Sequence, residues 1–276
     1  VPLSNLDDLA RTGRPPAVAG RTIRVSFLVV AQPHDSIFAL TSQGRALRML
    51  PTDAASPTDE GFSFSAEHPG LTPDERVTTV LATPASPRFW TVVTRRGHTR
   101  QFIHTEFNRH IAQGAQLIES PHRRDRPTAL VDGDSGDLFV LTRWGAVARF
   151  PQQTIGLQGS QAFDLDDDDA VVSALSLTAE TDLLAVTASG MAIRRNTTQF
   201  PARPEPGGDP RSLVQAFDVL GAFDASAGRV AFVTFSGRIA VASTGAVVPQ
   251  HRTGKGVSIC DLMRDPAVAA VALPPA

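Results

Sequence analysis

The sequence predicts an all-β protein, a propeller-like ring of five or six four-stranded blades. A strand, a Thr-x-x-Gly turn and a second strand follow one another five times along the chain. The turn glycines are 53, 48, 45 and 47 residues apart, a period typical of propeller blades. Hydrophobic residues make up 42% of the 276 residues, enough to bury the core of such a ring. The five glycines are Gly44, Gly97, Gly145, Gly190 and Gly237.

Each repeat predicts one β-hairpin. An apolar run comes first, the glycine supplies a turn position with positive φ, and apolar residues then alternate with basic residues. The hairpins span 37–49, 89–102, 138–150, 183–195 and 230–242. Shorter apolar runs such as 76–81, 170–175 and 257–260 predict further strands, which bring each unit to about four. Blades of this kind close radially, because closure leaves only short sheet edges exposed.

The remaining segments predict a lead-in and connecting loops. Residues 1–20 contain proline and aspartate without a hydrophobic pattern, so we expect a linker or partly ordered lead-in. We expect residues 21–276 to form one domain. Proline-rich or charged stretches at 51–61, 122–127 and 201–210 predict surface loops between blades. No apolar run reaches the roughly 18 to 20 residues of a membrane span, so we expect no membrane association.

The charges are unevenly distributed, although the formal net charge is −2. Lys255 is the single lysine, and arginine supplies the rest of the positive charge with a planar fork that suits phosphate. The nine-residue windows beginning at the threonine of each hairpin contain no Asp or Glu, whereas acidic residues are concentrated at 132–137 and 164–169. The windows contain ten arginines: Arg45, Arg48, Arg95, Arg96, Arg100, Arg143, Arg149, Arg194, Arg195 and Arg238. We therefore expect a positive belt around the ring.

Such a belt predicts binding of duplex DNA through its phosphates. Binding of this kind weakens steeply with salt and reads little base sequence. A curved belt also favours bent DNA, because bending brings more phosphates to more arginines. Two alternatives fit the same residues: an arginine face that is merely solvated, and a propeller used as a protein-interaction scaffold.

Several motifs make the sequence resemble a known family. They are His34 to Arg45, Thr105 to Arg109 followed by Gly114, and Phe163 to Ser173, together with the Thr-x-x-Gly hairpins. Over roughly residues 21 to 265 the chain resembles the C-terminal DNA-wrapping domain of the DNA gyrase A subunit, which the topoisomerase IV A subunit shares in reduced form. The resemblance implies a β-pinwheel, a propeller-like ring whose blades exchange strands and whose basic perimeter wraps DNA.

The family also carries a seven-residue box, Gln-Arg-Arg-Gly-Gly-(Lys/Arg)-Gly, usually in its first blade. The nearest match here keeps five of the seven positions but lies near the C-terminus. It consists of Gln250, His251, Arg252, Thr253, Gly254, Lys255 and Gly256. Either the order of blades is altered, or the first blade is absent and this loop is an ordinary one; we favour the second interpretation. Arg109, Arg252 and Lys255 are further candidate DNA contacts on loops.

The resemblance implies a part of a larger machine. The chain is expected to be the tail of a gyrase-type A subunit, or a separate paralogue of that tail, in the bacterial cytoplasm near the nucleoid. Its expected partners are double-stranded DNA and the core subunits of an ATP-dependent type II topoisomerase, and the isolated domain is expected to be monomeric. No cofactor is expected.

The residues argue against catalysis by this chain. Strand cleavage by a type II topoisomerase needs a tyrosine nucleophile, and the chain contains no tyrosine. Asp132 to Asp137 departs from a calcium loop, because Gly136 and Arg143 stand where oxygen ligands are needed. The Asp166 to Asp169 run is expected to be solvated rather than to bind a metal. Cys260, the one cysteine, is expected to be a buried structural thiol.

Overall fold

The computed structural model describes residues 4–12, 17–18, 21–22, 26–54, 71–84, 86–118, 125–134, 136–178, 181–212, 218–251 and 254–274. The first part contains α1 (Ser4–Thr12), β1 (Ala17–Val18), β2 (Arg21–Thr22), β3 (Ser36–Thr41), β4 (Ala46–Met49), α2 (Pro51–Ala54), β5 (Val77–Thr83), β6 (Phe89–Thr94), β7 (His98–Ile103), α3 (His104–Gln113) and β8 (Pro127–Asp132). The second part contains β9 (Asp137–Thr142), β10 (Ala146–Pro151), β11 (Ser160–Gln161), β12 (Val171–Leu177), β13 (Asp182–Thr187), β14 (Met191–Asn196), β15 (Arg211–Ser212), β16 (Val219–Asp224), β17 (Arg229–Thr234), β18 (Ile239–Ser243), β19 (Val257–Ser258) and β20 (Ala267–Leu273). Short 3₁₀ turns follow β10 and β14, at Gln152–Thr154 and Thr197–Gln199.

Five antiparallel sheets correspond to the five predicted hairpins. From rim to centre they are blade 1 (β4, β3, β5), blade 2 (β11, β7, β6, β8), blade 3 (β15, β10, β9, β12), blade 4 (β19, β14, β13, β16) and blade 5 (β18, β17, β20). Blades 1 and 5 have three strands each within the described ranges. The all-β ring predicted from the repeat is therefore confirmed.

Blades 2, 3 and 4 receive their outermost strand from the chain that follows the next hairpin. Strand β11 comes after the hairpin of blade 3, yet it pairs with β7 of blade 2. In the same way β15 pairs with β10, and β19 pairs with β14. This strand exchange is what the β-pinwheel resemblance implies. It ties each of these blades to its neighbour by backbone hydrogen bonds as well as by packing.

The first strand of each hairpin lies in the core between two neighbouring blades. Its side chains are buried on both faces, as in Leu138 to Leu141 of β9, which are fully inaccessible. This explains why these strands have continuous apolar runs rather than an alternation. Trp90, Phe102 and Phe150 are also buried, so they belong to the core and offer no surface for stacking bases.

The Thr-x-x-Gly turn has the same hydrogen bonds in all five blades. In blade 2 the hydroxyl of Thr94 accepts the amide of His98 at 3.0 Å, and the amide of Gly97 donates to the carbonyl of Thr94 at 3.0 Å. The five threonines are buried, and the five glycines have φ between 79° and 86°. The hydroxyl therefore satisfies an amide that a valine would leave unpaired, and the glycine supplies the left-handed turn position.

A carboxylate holds three of these turns from outside the hairpin. The carboxylates are those of Asp125, Asp169 and Asp265. They accept a hydrogen bond from the amide of the third residue of Thr-x-x-Gly in blades 2, 3 and 5, at 2.9, 3.2 and 3.0 Å. Each of the three stands one or two residues before the innermost strand of its blade. These acids are structural. The sequence analysis expected the acidic run to be solvated, and for Asp169 that expectation is wrong.

None of the three α-helices in the described ranges was predicted, and α2 lies in the predicted loop 51–61. Helix α3 follows β7, buries Phe107 against Trp90 and Phe38, and ends at Gly114 in the left-handed conformation. Helix α1 lies within the predicted lead-in and packs on the face of blade 5 that blade 4 does not cover. Its Leu6 is buried there, and Asp7 accepts two hydrogen bonds from Arg229, at 3.0 and 3.2 Å.

The innermost strands β5, β8, β12, β16 and β20, together with residues 26–30, surround a central channel of about 680 Å³. Apolar residues such as Val80 and Leu220 line it together with polar residues such as Thr79 and Ser173. None of the helices in the described ranges is long and apolar enough to cross a membrane.

Replacing Gly190 with alanine should destabilise the ring far more than replacing Gly114. Both glycines have positive φ, but a Cβ at Gly190 would overlap the carbonyl oxygen of Cys260, whereas a Cβ at Gly114 meets nothing within 4 Å. We expect a loss of about 1 to 2 kcal/mol for Gly114→Ala and more than about 3 kcal/mol for Gly190→Ala, measured by urea unfolding. Equal losses would show that the close packing at Gly190 does not matter.

Blade 5 should contribute acid-sensitive stability through Asp265. Burial alone would raise the pKa of this carboxyl, but hydrogen bonds from Ser236, Thr234 and Arg238 outweigh it and hold the pKa well below its ordinary value. Because the pKa is lower in the folded chain than in the unfolded chain, this stabilisation is complete above about pH 4 and declines below it. Asp265→Asn should therefore unfold at lower urea than the wild type at pH 7, with a smaller difference at pH 3. Asp74→Asn, at an exposed turn, is the control and should change little at either pH.

Candidate nucleic-acid interface

The outer surface of the ring, here called the rim, consists of the second hairpin strands, the outermost strands and the loops that precede them. Three predicted arginines, Arg48, Arg149 and Arg194, occupy one equivalent rim position in blades 1, 3 and 4. Each stands twelve residues after the first residue of the first strand of its hairpin. The arginine is paired with the residue two positions further along that strand, so its guanidinium is a diagonal neighbour of the side chain at the first residue.

Two of these three arginines form ion pairs across their hairpin. Arg149 Nε donates to Asp137 at 2.7 Å, and Arg194 Nε donates to Asp182 at 2.7 Å. Arg149 is only 10% exposed, and it also donates to the carbonyls of Thr197 and Phe200 at 2.7 and 2.9 Å. Arg149 thereby fastens blade 3 to the turn that follows β14 of blade 4.

Blade 1 leaves its equivalent arginine available. Arg48 is exposed, its Nε donates to the hydroxyl of Ser36 at 3.1 Å, and its guanidinium lies 5.9 Å from the centre of the Phe38 ring. A serine in place of the aspartate leaves the charge of Arg48 uncompensated by its neighbour across the hairpin. Arg48 is therefore placed to attract a phosphate.

Arg45 and Arg238 occupy a second equivalent position, at the turn before the second strand. Arg45 forms a bidentate ion pair with Glu75, and this hydrogen bond raises the pKa of Arg45. Arg238 Nε donates to Asp265 at 3.0 Å, but the side chain is still 48% exposed. Of the two, Arg238 is the one that can also reach a ligand at the surface.

Arg100 and Arg109 lie close to helix α3. Arg100 donates to the carbonyls of Leu157 and Leu117, at 2.8 and 3.1 Å, and stacks on the Phe102 ring at 4.6 Å, so it holds the loops of blades 1 and 2 together. Arg109 is 60% exposed on α3 and shares a hydrogen bond of 3.1 Å with Glu106. An exposed pair of this kind contributes little stability, which leaves Arg109 free to move toward DNA.

Arg195 does not lie on the rim. It occupies the core position that Met49, Phe102 and Phe150 occupy in blades 1, 2 and 3, and it is 1% exposed. Burial lowers its pKa. Its guanidinium donates to the carbonyls of Gln250 and Gly254, at 3.0 and 3.4 Å. The prediction of a phosphate contact at Arg195 is wrong, because the buried guanidinium donates its hydrogen bonds to the carbonyls of a loop.

That loop is the box-like segment 250–256, which precedes β19 at the outer edge of blade 4. Gln250 accepts the amide of Gly256 at 3.1 Å, and Gly254 donates to His251 at 2.8 Å. Gly256 has φ +87° and packs so closely on Ile193 that a side chain there would clash. Lys255 is exposed on this loop. Arg252 and Thr253 lie outside the described residues.

Arg95, Arg96 and Arg143 are also not on the rim. They follow the turn threonines of blades 2 and 3, and Arg95 and Arg143 line one end of the channel. Arg96 donates to several backbone carbonyls of the acidic run, among them those of Asp166 and Asp169 at 3.1 and 3.0 Å. Arg143 donates to the carbonyl of Asp168 at 3.1 Å.

The structure therefore divides the predicted cations into four groups. Arg45, Arg100, Arg149 and Arg194 tie parts of the ring together, and Arg195 is in the core. The turn arginines Arg95, Arg96 and Arg143 line the channel or donate to the acidic run, and the fourth group is exposed on the rim. The exposed rim cations among the predicted residues within the described ranges are Arg48, Arg109, Arg238 and Lys255. The sequence windows missed the acidic partners because Asp137 and Asp182 stand five residues before their windows, and Glu75 and Asp265 stand more than twenty residues after theirs. The recurrent spacing of twelve residues between Asp and Arg would have revealed the first two.

Cys260 is half-buried rather than fully buried. It packs at the edge of the core between blades 4 and 5, and burial raises the pKa of its thiol. The predicted structural role is kept, since the protonated thiol is a weak nucleophile.

The ion pair of Arg149 should matter much more to stability than the equivalent exposed arginine. Arg149→Met leaves Asp137 buried without its partner, so we expect a loss of about 3 kcal/mol in the free energy of unfolding. Arg48→Met removes an exposed guanidinium at the equivalent position and should cost less than about 0.5 kcal/mol. Urea unfolding at pH 7 measures both, and similar losses would contradict the division between structural and exposed arginines.

Known proteins share both the repeat and the fold. The family described as DNA gyrase C-terminal domain, beta-propeller, matches residues 137–178, 181–203 and 229–263, which contain the hairpins of blades 3, 4 and 5. No curated protein sequence matches the chain.

Solved structures extend the similarity to nearly the whole chain. A DNA gyrase A C-terminal domain is 17% identical, with a TM-score of 0.78 over 94% of this chain and 89% of its own. The C-terminal domain of a DNA topoisomerase IV is 16% identical, with a TM-score of 0.70 over 87% of this chain and 79% of its own. The E. coli ParC C-terminal domain is 13% identical, with a TM-score of 0.54 over 84% of this chain and 96% of its own. The chain thus has the β-pinwheel fold of the DNA gyrase A C-terminal domain and carries the repeat of that family in three of its blades.

Proposed function

We propose that the rim binds duplex DNA through its phosphates, without reading base sequence, and bends it around the ring. The observation that supports this most strongly is the shared fold with a DNA gyrase A C-terminal domain over 94% of the chain. We extend the DNA-wrapping role known for that family to this chain because the chain shares the fold and has exposed cations on its rim.

The proposed contacts are Arg48, Arg109, Arg238 and Lys255. They lie in or beside blades 1, 4 and 5, so a single DNA segment would have to follow the curve of the ring to reach all of them. With about four neutralised phosphates, the slope of log affinity against log salt is expected to be about −3 to −4. Affinity is therefore expected to be modest at physiological salt.

The box-like segment contributes to this surface in a limited way. Two of its carbonyls accept hydrogen bonds from Arg195, and Gly256 packs against Ile193 of blade 4. Lys255 is its exposed cation within the described residues. We propose that the segment is one rim loop among others. A full gyrase contribution to negative supercoiling would then need DNA contacts from other parts of the enzyme.

We further propose that the chain is the non-catalytic DNA-binding part of a type II topoisomerase, or a paralogue of that part, which acts as a monomer in the bacterial cytoplasm. Cleavage chemistry and ATP would come from partner subunits, since this chain has no tyrosine. The competing proposal is a protein-interaction scaffold that does not bind DNA.

Removing rim charge should weaken DNA binding more than removing the same charge elsewhere. We expect Arg48→Gln combined with Lys255→Gln to reduce the salt slope by about 2, because two phosphate contacts disappear. Arg95→Gln combined with Arg126→Gln removes the same charge from the channel end and should leave the slope unchanged. Fluorescence anisotropy with a labelled duplex at several salt concentrations measures both. Equal effects would mean that only total charge matters, and the rim proposal would be wrong.

Wrapping should also change DNA topology. If nicked circular DNA is bound and then sealed, wrapping leaves a shift in linking number that gel electrophoresis resolves. The scaffold alternative leaves the linking number as it is without protein. The double rim variant is expected to reduce the shift, and the double channel variant is expected to retain it.

A further inference from the structure

Three arginines meet at one end of the central channel, here called the channel mouth. Arg95 and Arg143 occupy the same turn position in blades 2 and 3, and Arg126 immediately precedes β8. The amide of Arg95 donates to the carbonyl of Arg126 at 2.8 Å, so these two residues are direct neighbours. The amide of Val171 donates to the carbonyl of Arg95, and the carbonyl of the preceding residue, Ala170, accepts from the amide of Arg143. Backbone hydrogen bonds to adjacent residues therefore hold Arg95 and Arg143 close together. Their side chains line the same cavity.

These arginines have no acidic partner among the described residues, unlike Arg109 and Arg238 of the rim. Within the described part of the chain, none of the three forms an ion pair. The pKa of Arg95 is lowered, first by burial and then by the nearby charges of Arg126, Arg143 and Arg96. The Nε of Arg143 is buried and has no hydrogen-bond acceptor among the described residues. The mouth therefore holds like charges together and leaves donors unused, an arrangement that an anion would relieve.

The acidic groups nearby are already engaged or lie apart. Asp125 accepts the amides of Arg96 and Arg126, both at 2.9 Å, so it holds the backbone. Asp169 does the same for Trp144 and Ala170, at 3.2 and 2.8 Å. The run 166–168 offers backbone carbonyls to the arginines while its carboxylates are exposed to water. Among the described residues that line the cavity, Asp218, which immediately precedes β16, is the one acid.

The geometry points to a binding site for a small phosphate-bearing molecule at the channel mouth. Arg95, Arg126 and Arg143 bind the phosphate, since guanidinium groups match phosphate oxygens in charge and in bidentate geometry. The organic part enters the channel and packs against apolar residues of its lining such as Val80 and Leu220. A cavity of about 680 Å³ is in the usual size range for small-molecule sites and does not admit duplex DNA.

Calorimetric titration of the whole chain tests this site, with pyrophosphate and adenosine diphosphate as probes at constant ionic strength. We expect one saturable site per chain, with tighter binding of the nucleotide because its organic part can reach the channel walls. Arg95→Gln combined with Arg126→Gln should weaken both probes at least about tenfold. The charge-matched control, Arg48→Gln combined with Lys255→Gln, should bind both probes as the wild type does.

A variant that is expected to bind pyrophosphate more tightly separates a change in the site from damage to the fold, because damage would only weaken binding. Asp218→Asn removes the acid that faces the arginines, and asparagine tolerates the positive φ of 64° at this position. It should tighten pyrophosphate binding about two- to threefold. Absence of a saturable site, or equal weakening by the rim and mouth variants, would overturn the proposal.

Competition with duplex DNA tests whether the channel mouth is separate from the DNA-binding surface. Saturating duplex should leave the affinity for pyrophosphate unchanged, because rim and mouth are separate surfaces. Displacement of pyrophosphate by duplex would show that the mouth is part of the DNA surface, and the small-molecule proposal would be wrong. The rim proposal has its own readout in the salt slope, so the two can fail independently.

Discussion

Exchange of the outermost strand is the constraint on which the ring depends. The strand that completes blade 2, 3 or 4 is supplied only after the chain has built the hairpin of the next blade. Each of these blades is therefore held to its neighbour by backbone hydrogen bonds in addition to the apolar cores between them. The same exchange brings the loops before β11, β15 and β19 to the perimeter, which is why the rim is made of loops from one repeat and strands from another.

Arginine has structural and electrostatic roles on the same surface, and the neighbouring residue decides between them. Where the first residue of the hairpin is an aspartate, as at Asp137 and Asp182, the guanidinium twelve residues later is neutralised and holds blades together. Where that residue is Ser36, the charge of Arg48 remains available. An arginine whose ion pair is largely buried, such as Arg149, adds little to the field that a phosphate experiences, so DNA affinity should follow the few exposed cations rather than the number of arginines.

Arg195 explains the conformation of the box-like segment. A guanidinium at a position where the other hairpins bury Met49, Phe102 or Phe150 can be tolerated only if its donors find acceptors, and the carbonyls of Gln250 and Gly254 provide them. The loop is consequently drawn inward over the edge of blade 4. Local similarity to the box of the gyrase family thus coexists with a different position in the chain, and the side chain beneath the loop supports it from within.

The sequence by itself determined the repeat, the five hairpins and three further strands, β5, β12 and β19, because apolar runs and Thr-x-x-Gly turns are local patterns that depend on neighbouring residues. It also revealed the acid-free windows. Only the tertiary structure decided which arginines are exposed, since their partners Glu75, Asp137, Asp182 and Asp265 lie outside the windows and meet them only after strands pair. The channel mouth was equally hidden, because Arg95, Arg126 and Arg143 belong to two blades and become neighbours only through hydrogen bonds between strands distant in sequence.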